Sequence, residues 1–392
     1  MPRAVTLSFI FFLAKGIFPL CLSGYPVIPE ILEIKEEQVR EKIGHEEIIL
    51  EYRMTETLLK LHTHTDKGVV VTDIPLNRMF WSSLEEFKSL LRVADTKNYL
   101  LHGKILGTIL VLPVRPLLTD KKRLIIVPGH ELSDIPFEAL IIDPSDGRSP
   151  TQGKIPFLIH EFEIIYHFSL AHWYYGANPG QTTTYDFLGF SPVFETHPTI
   201  NALPFTRVEL DAIADLFREK GMSVKIAMDQ ESDLTSFFTL SGKGKVVHLA
   251  THGLRAAENP VGNGLLFWED HEPVGSEMPD VELLTPDDIA LLRLNSDLLV
   301  LNACASGRSA ASQDTMFRSS IREFFQAGAR NILCTLWNVS DLMAQRFMIS
   351  FYKHWLSGQS YSQALRAVKL EFLSKRETSL PMVWAPYVLI GQ

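Results

Sequence analysis

The chain has 392 residues, 46% of them hydrophobic and 21% charged, and carries a formal net charge of -9. That balance excludes long disorder, allows a large core and gives no electrostatic reason to expect nucleic acid as a partner. Three cysteines, Cys21, Cys304 and Cys334, exclude a disulfide framework and suit a reducing compartment.

Arg3 followed by an apolar run to Ala14 resembles the start of a signal peptide, and Cys21-Leu22-Ser23-Gly24 offers small residues for cleavage. Lys15 and Pro19 interrupt the run, so it makes a poor membrane span. Residues 1–24 are read as an export signal or anchor, or alternatively as a packed apolar segment or the ragged start of a longer protein. Residues 33–44 are expected to be a charged helix. Residues 47–52, 57–63 and 68–74 alternate like strands of a meander, with a turn at Asp66-Lys67-Gly68. Two helices are expected over 83–93 and 99–110.

From Arg123 the pattern changes to alternating strand and helix. The strand Leu124-Ile125-Ile126-Val127 is ended by Pro128-Gly129, and 163–168 and 186–190 are further strands. The turn-rich residues 177–184 read as an exposed connection. Leu210, Ile213, Leu216 and Phe217 fall on one face of a helix that stops near Gly221. A strand over 224–228 and a helix near 232–240 lead into Val246-Val247-His248-Leu249-Ala250-Thr251-His252-Gly253. Residues 263–272 read as a strand-turn element in which Trp268 packs. Thr285 is placed as the N-cap of a helix with Pro286 in its first turn. That helix precedes Leu298-Leu299-Val300-Leu301-Asn302-Ala303-Cys304-Ala305-Ser306-Gly307. A helix over 314–327, a strand over 331–337 containing a buried, inert Cys334, helices over 341–355 and 360–373, and an apolar segment over 384–390 complete the series. Three regions follow: an apolar segment 1–32, an α+β portion 33–121, and an α/β catalytic domain 122–392.

Continuous apolar strands separated by helices imply a mostly parallel central sheet with helices on both faces. Reactive groups in such sheets gather beyond the carboxyl ends of the strands. His252 and Cys304 both satisfy that placement, and they follow the order and approximate spacing of a caspase pair. A thiol attacks a carbonyl as its thiolate, and a neighbouring imidazole can take the proton and return it to the leaving amine. The backbone N–H groups of Gly253 and Cys304 are candidate donors to the oxyanion. His248 and His252 are four apart, but the second position is Leu249 and the segment reads as strand, so the two rings are not expected to share a face and zinc is not expected. His62 and His64 share a strand face without an evident third ligand. No phosphate loop is present, because Gly242-Lys243-Gly244 precedes its strand. Neither a cofactor nor a metal is expected.

The segments VVHLATHG, LLVLNACASG, GARNILCTLWNVSD and WAPYVLIG resemble the motifs of CHAT domains, a caspase- and separase-related family often found behind tetratricopeptide repeats. VPGHELSDIPFEAL, LPFTRVEL and LLTPDDI extend the similarity from roughly residue 45 to 391. The resemblance implies a caspase-like three-layer sandwich and a cysteine endopeptidase acting on a protein or peptide, with His252 as base and Cys304 as nucleophile. Asp341 is the position where relatives in the wider clan bind a basic P1 side chain; it also opens a predicted helix, where the macrodipole favours a carboxylate. Arg308 and Arg330 could line the cleft but read as surface charges. Two departures stand out. Ala305-Ser306-Gly307-Arg308 replaces the usual Glu-Thr-Gly, and tetratricopeptide repeats are absent from residues 1–44. A partner protein is therefore expected to supply the regulation, unless this is a stand-alone or shortened form. The rival expectation is an inactive scaffold with the same fold, and a hydrolase acting on another acyl substrate is a third. The compartment is expected to be the cytoplasm, with membrane association only through residues 1–24.

Overall fold

The computed structural model describes residues 34–93, 98–142, 155–176, 182–254, 264–269, 281–305 and 315–392, with the backbone alone for 304–305 and 315–320. The expectations for residues 1–24, for Arg308 and for most of the turn-rich segment after residue 176 lie outside these residues.

The chain opens with helix α1 (Glu36–Lys42), strands β1 (Glu47–Met54), β2 (Leu58–Thr65) and β3 (Gly68–Pro75), and helices α2 (Arg78–Leu90) and α3 (Asn98–Leu110). Strands β4 (Arg123–Val127) and β5 (Glu163–Tyr166), helix α4 (Leu170–Tyr175), strand β6 (Tyr185–Ser191) and helix α5 (Pro204–Arg218) follow. Next come β7 (Val224–Met228), α6 (Leu234–Leu240), β8 (Gly244–Leu254), β9 (Gly264–Trp268), β10 (Val281–Leu284), α7 (Pro286–Leu291) and β11 (Leu298–Ala305). Helix α8 (Thr315–Gln326), β12 (Ile332–Thr335), α9 (Asp341–Leu356), α10 (Tyr361–Leu373), α11 (Pro381–Trp384) and β13 (Tyr387–Ile390) close the series.

Caps explain most helix starts. Thr285 and Asp288 bond reciprocally at the head of α7, and Ser340 and Ser360 cap α9 and α10. Helix α2 begins five residues earlier than its apolar periodicity suggests, because the Asn77 side chain accepts the Phe80 N–H at 3.1 Å.

One sheet runs through the whole chain in the order β10-β9-β8-β11-β12-β13-β5-β4-β1-β2-β3, with β7 and β6 attached to the first part of β8. The sheet does not break between residues 33–121 and 122–392, since β1 pairs in parallel with β4. It contains two parallel blocks of opposite polarity. Strands β6, β7, β8, β11 and β12 run one way, and β13, β5, β4 and β1 the other, with the antiparallel β12–β13 pair as the junction. With the right-handed crossovers that parallel strands favour, this strand order puts α5 on one face and α6, α7 and α8 on the other. Helices α9 and α10 join the α5 layer. The fold is a three-layer α/β sandwich with a mostly parallel central sheet.

Helix α10 is tied to β5 and to the segment after β4 through buried charge. Lys369 of α10 donates to Glu138 Oε1 at 2.5 Å, and the Tyr166 hydroxyl donates to Glu138 Oε2 at 2.5 Å. Burial lowers the Lys369 ammonium pKa, and the adjacent Glu138 carboxylate opposes that shift. Beside this lock, His167 and His172 share a hydrogen bond between their Nδ1 atoms at 3.0 Å, both rings buried. Burial pulls the pKa of His172 down to about 4, helped by Arg322. It pulls His167 well below its ordinary value, helped by His172 and Lys42. Both rings therefore fold neutral, while in the unfolded chain each titrates near pH ~6.5.

Below pH ~6.5 the unfolded state binds protons that the folded state refuses, so stability falls as the pH drops toward 4. The double variant His167→Phe/His172→Phe is expected to lose less stability than wild type between pH 6.5 and 4.5, read from urea midpoints. Parallel losses in the two proteins would show that the pair is not the source.

Candidate active site

Strands β8 and β11 pair in parallel with the register Leu298↔Val246 through Ala305↔Gly253. Within it Cys304 and His252 are direct partners. Register partners in a parallel pair occupy the same face of the sheet. Neither residue is the last of its strand: β11 runs to Ala305 and β8 to Leu254. The expectation that His248 and His252 occupy different faces is corrected, because a strand has period two and residues four apart share a face. They are still about 13 Å apart along a strand, beyond the reach of one metal ion. Among the described residues, no three His, Cys, Asp or Glu side chains group as a metal site.

His252 is 7% exposed. Its Nε2 lies 2.7 Å from the Asn201 carbonyl oxygen, which can only accept, so Nε2 carries the proton. In the neutral ring, Nδ1 then holds the lone pair. Burial lowers the imidazole pKa from its ordinary value, and the Asn201 bond opposes the shift.

The segment between β6 and α5 builds this pocket. Val193 and Phe194 are consecutive left-handed non-glycine residues, with φ of 50° and 61°. Each costs about 1–3 kcal/mol and persists only where its surroundings over-determine it. Here they do. Val193 O accepts the Leu203 N–H at 2.8 Å, and Pro192 O accepts the Trp268 indole N–H at 2.7 Å. The Phe194 ring lies 5.8 Å from the His252 ring at 28° and 5.2 Å from the Trp268 ring at 43°.

A buried polar group sits deeper on the same face. Glu209 of α5 is fully buried and accepts both bonds of the Asn302 amide, at 2.9 and 3.0 Å. Glu209 Oε1 also lies 2.8 Å from His248 Nε2, and His248 Nδ1 shares a hydrogen bond with the Tyr352 hydroxyl at 3.1 Å. One carboxylate thus contacts β8 four residues before His252 and β11 two residues before Cys304.

Asp341 is the first residue of α9, and its Oδ2 accepts the Phe205 N–H at 2.9 Å. Helix α5 has Leu203 at its N-cap and no side-chain cap of its own, so Asp341 supplies the missing acceptor from a neighbouring helix. Burial raises the Asp341 carboxyl pKa; the Phe205 bond works against this and the charge of Glu209 adds to it. Gly253 pairs with Ala305 on one side and Leu265 on the other, so its backbone N–H lies within the sheet plane. Cys334 is on β12, buried, and its thiol pKa is pushed up by burial. Trp268 is buried, and its indole N–H is bonded as above.

The sequence reading did not identify Asn201, Phe194, Glu209 or Asn302. Asn201 acts through a backbone carbonyl, which no residue pattern announces. Glu209 and Asn302 did carry a signal: each is a polar residue inside an apolar period.

The CHAT domain family model matches residues 102–392. The chain is 32% identical over 118 residues to tetratricopeptide repeat protein 28 of Homo sapiens, covering 30% of this chain and 5% of that protein. The Mus musculus counterpart is 32% identical over 109 residues, with coverage of 28% and 4%. The chain thus spans about a twentieth of the length of these curated relatives. Among solved structures, a Saccharomyces cerevisiae separase–securin complex matches with a TM-score of 0.52 and 9% identity, covering 90% of this chain and 31% of that one. The Arg-specific cysteine proteinase gingipain R matches with a TM-score of 0.43 and 12% identity, covering 80% and 74%.

Asn302→Leu keeps the size of the side chain but removes both donors to Glu209. It is expected to cost about 1–3 kcal/mol of folding stability, measured by denaturant unfolding. An unchanged midpoint would mean that the carboxylate does not depend on that amide.

Proposed function

This chain belongs to the CHAT domain family, and from that membership we propose that it is a cysteine endopeptidase with Cys304 as nucleophile and His252 as acid and base. The observation that carries the reading is the register that seats Cys304 opposite His252. His252 Nδ1 takes the thiol proton, and the thiolate sulfur attacks the scissile carbonyl carbon, forming a C–S bond and an oxyanion. The imidazolium returns the proton to the leaving nitrogen as the C–N bond breaks, leaving a thioester on Cys304. Water, losing a proton to His252, then hydrolyses the thioester and restores the thiol. The Gly253 and Cys304 N–H groups are the proposed oxyanion donors. Both lie in the last rungs of the ladder, so this role requires an N–H left free where the pairing ends.

For Asp341 we favour the capping role over a specificity role. Its bond to the Phe205 N–H supports this, and the preferred P1 residue is left open. Residues 122–392 are proposed to carry the chemistry, with 33–121 extending the same sheet. The substrate is a protein or peptide, and a partner protein supplies the regulation. The substrate class follows from the cysteine peptidases of the clan, and the partner from the family's usual company with tetratricopeptide repeats. We place the protein in the cytoplasm, since a nucleophilic thiol must stay reduced. Recovery of the full chain in a membrane pellet would contradict this and point to residues 1–24. Among the described residues no single helix is long and apolar enough to cross a membrane.

The second reading, an inactive scaffold, draws on the near-complete burial of the His252 ring. Alkylation separates the two. Cys304 is expected to react at neutral pH in preference to Cys334, and His252→Ala is expected to abolish that preference. Because burial lowers the His252 pKa, the neutral base persists below the ordinary histidine value. The acid limb of the reaction should therefore fall below pH ~6.5. Cys304→Ala should abolish peptide turnover. Equal inertness of both thiols, or turnover that survives Cys304→Ala, would overturn the enzyme reading.

A further inference from the structure

A cavity of about 580 Å³ lies at the carboxyl ends of β4 and β5. Its lining mixes Arg322 and His130 with Asp134 and Glu323, which selects no ligand chemistry. The loop over His252 carries more.

We propose that Phe194 and Trp268 are positioning residues that hold the His252 imidazole in one orientation through the left-handed turn at Val193–Phe194. The proposal rests on the reading of His252 as the base. Three contacts converge on one short segment. Phe194 covers one face of the imidazole, Asn201 in the same segment accepts its Nε2 proton, and Trp268 fastens the start of the segment through Pro192 O. Phe194, Leu266 and Trp268 also form an apolar cluster of their own, apart from the main core.

Ordinary packing would not need this backbone. Glycine occupies the left-handed region without a steric penalty, yet the chain places a β-branched valine and a phenylalanine there in succession. Those side chains are fully buried, so the turn is held from several sides. Strain of this kind, kept beside a reactive group, is how a fold preorganises it. The strand pairing positions the His252 backbone, but the ring can still rotate about its side-chain bonds. The clamp removes that freedom.

Two variants separate positioning from packing. Trp268→Phe keeps an aromatic ring while removing the donor to Pro192 O, together with part of the indole volume. Val193→Gly relieves the backbone strain and leaves Phe194 and Trp268 in place. Both are expected to lower kcat about tenfold or more on a peptide substrate with KM nearly unchanged. NMR titration of the His252 ring should show its pKa returning toward the ordinary histidine value in both variants. Val193→Gly also deletes a buried side chain, so its unfolding temperature is compared with that of Val193→Ala, which loses nearly the same packing but keeps a β-carbon at positive φ. The glycine variant should be the more stable of the two. Wild-type kcat and wild-type His252 titration in both folded variants would overturn the proposal. Should wild type show no turnover and no selective Cys304 alkylation, the base reading fails. The titration alone then decides: a shift in the variants supports the clamp, and no shift overturns it.

Discussion

The candidate site hangs on the parallel pairing of β8 with β11. Apolar burial drives that pairing, through Val246, Val247 and Leu249 on one strand and Leu298, Leu299, Val300 and Leu301 on the other. Each such side chain contributes about 1.5–3 kcal/mol when fully buried. Because both faces of these strands are apolar, burial alone discriminates weakly between registers. A slip of one residue exchanges the faces. It would carry Asn302 away from Glu209 and leave a buried carboxylate without its amide, a costly outcome. The polar contact therefore penalises the wrong register, and the apolar run supplies the strength. Position 304 faces position 252 as a result.

Polarity adds a second constraint. Within one sheet, only the block containing β8 and β11 sends its carboxyl ends toward the loop before α5. The block built from β13, β5, β4 and β1 points the other way, and its carboxyl ends border the separate cavity. The carboxyl ends of β8 and β11 and those of β4 and β5 thus point to opposite edges of a continuous sheet. The front layer, α5 with α9, does three things at once. It covers the strands, places Glu209 between them, and through Asp341 closes the start of α5 just after the loop that holds His252.

Much of this was legible in the sequence. The apolar runs ending at His252 and Cys304 announced two strands of like polarity, Thr285-Pro286 announced the start of α7, and the motif blocks announced the family. What was not legible has identifiable causes. The start of α2 depends on Asn77 as a cap, which the apolar periodicity alone does not reveal. Strand β10 was unmarked because its four residues, VELL, have neither clear alternation nor turn punctuation. The faces of His248 and His252 were misassigned by treating spacing four as a helical matter when period two governs a strand. The contacts around His252 come from a backbone carbonyl and from a segment with two residues at positive φ, and side-chain chemistry encodes neither.

The register is tested most directly in a His252→Cys variant treated with a short bis-electrophile that spans neighbouring thiols. If Cys304 and position 252 are partners, one reagent joins both, giving a single bridged product whose digest links the two peptides. Two independent mono-adducts, with no linked peptide, would contradict the pairing on which the account rests.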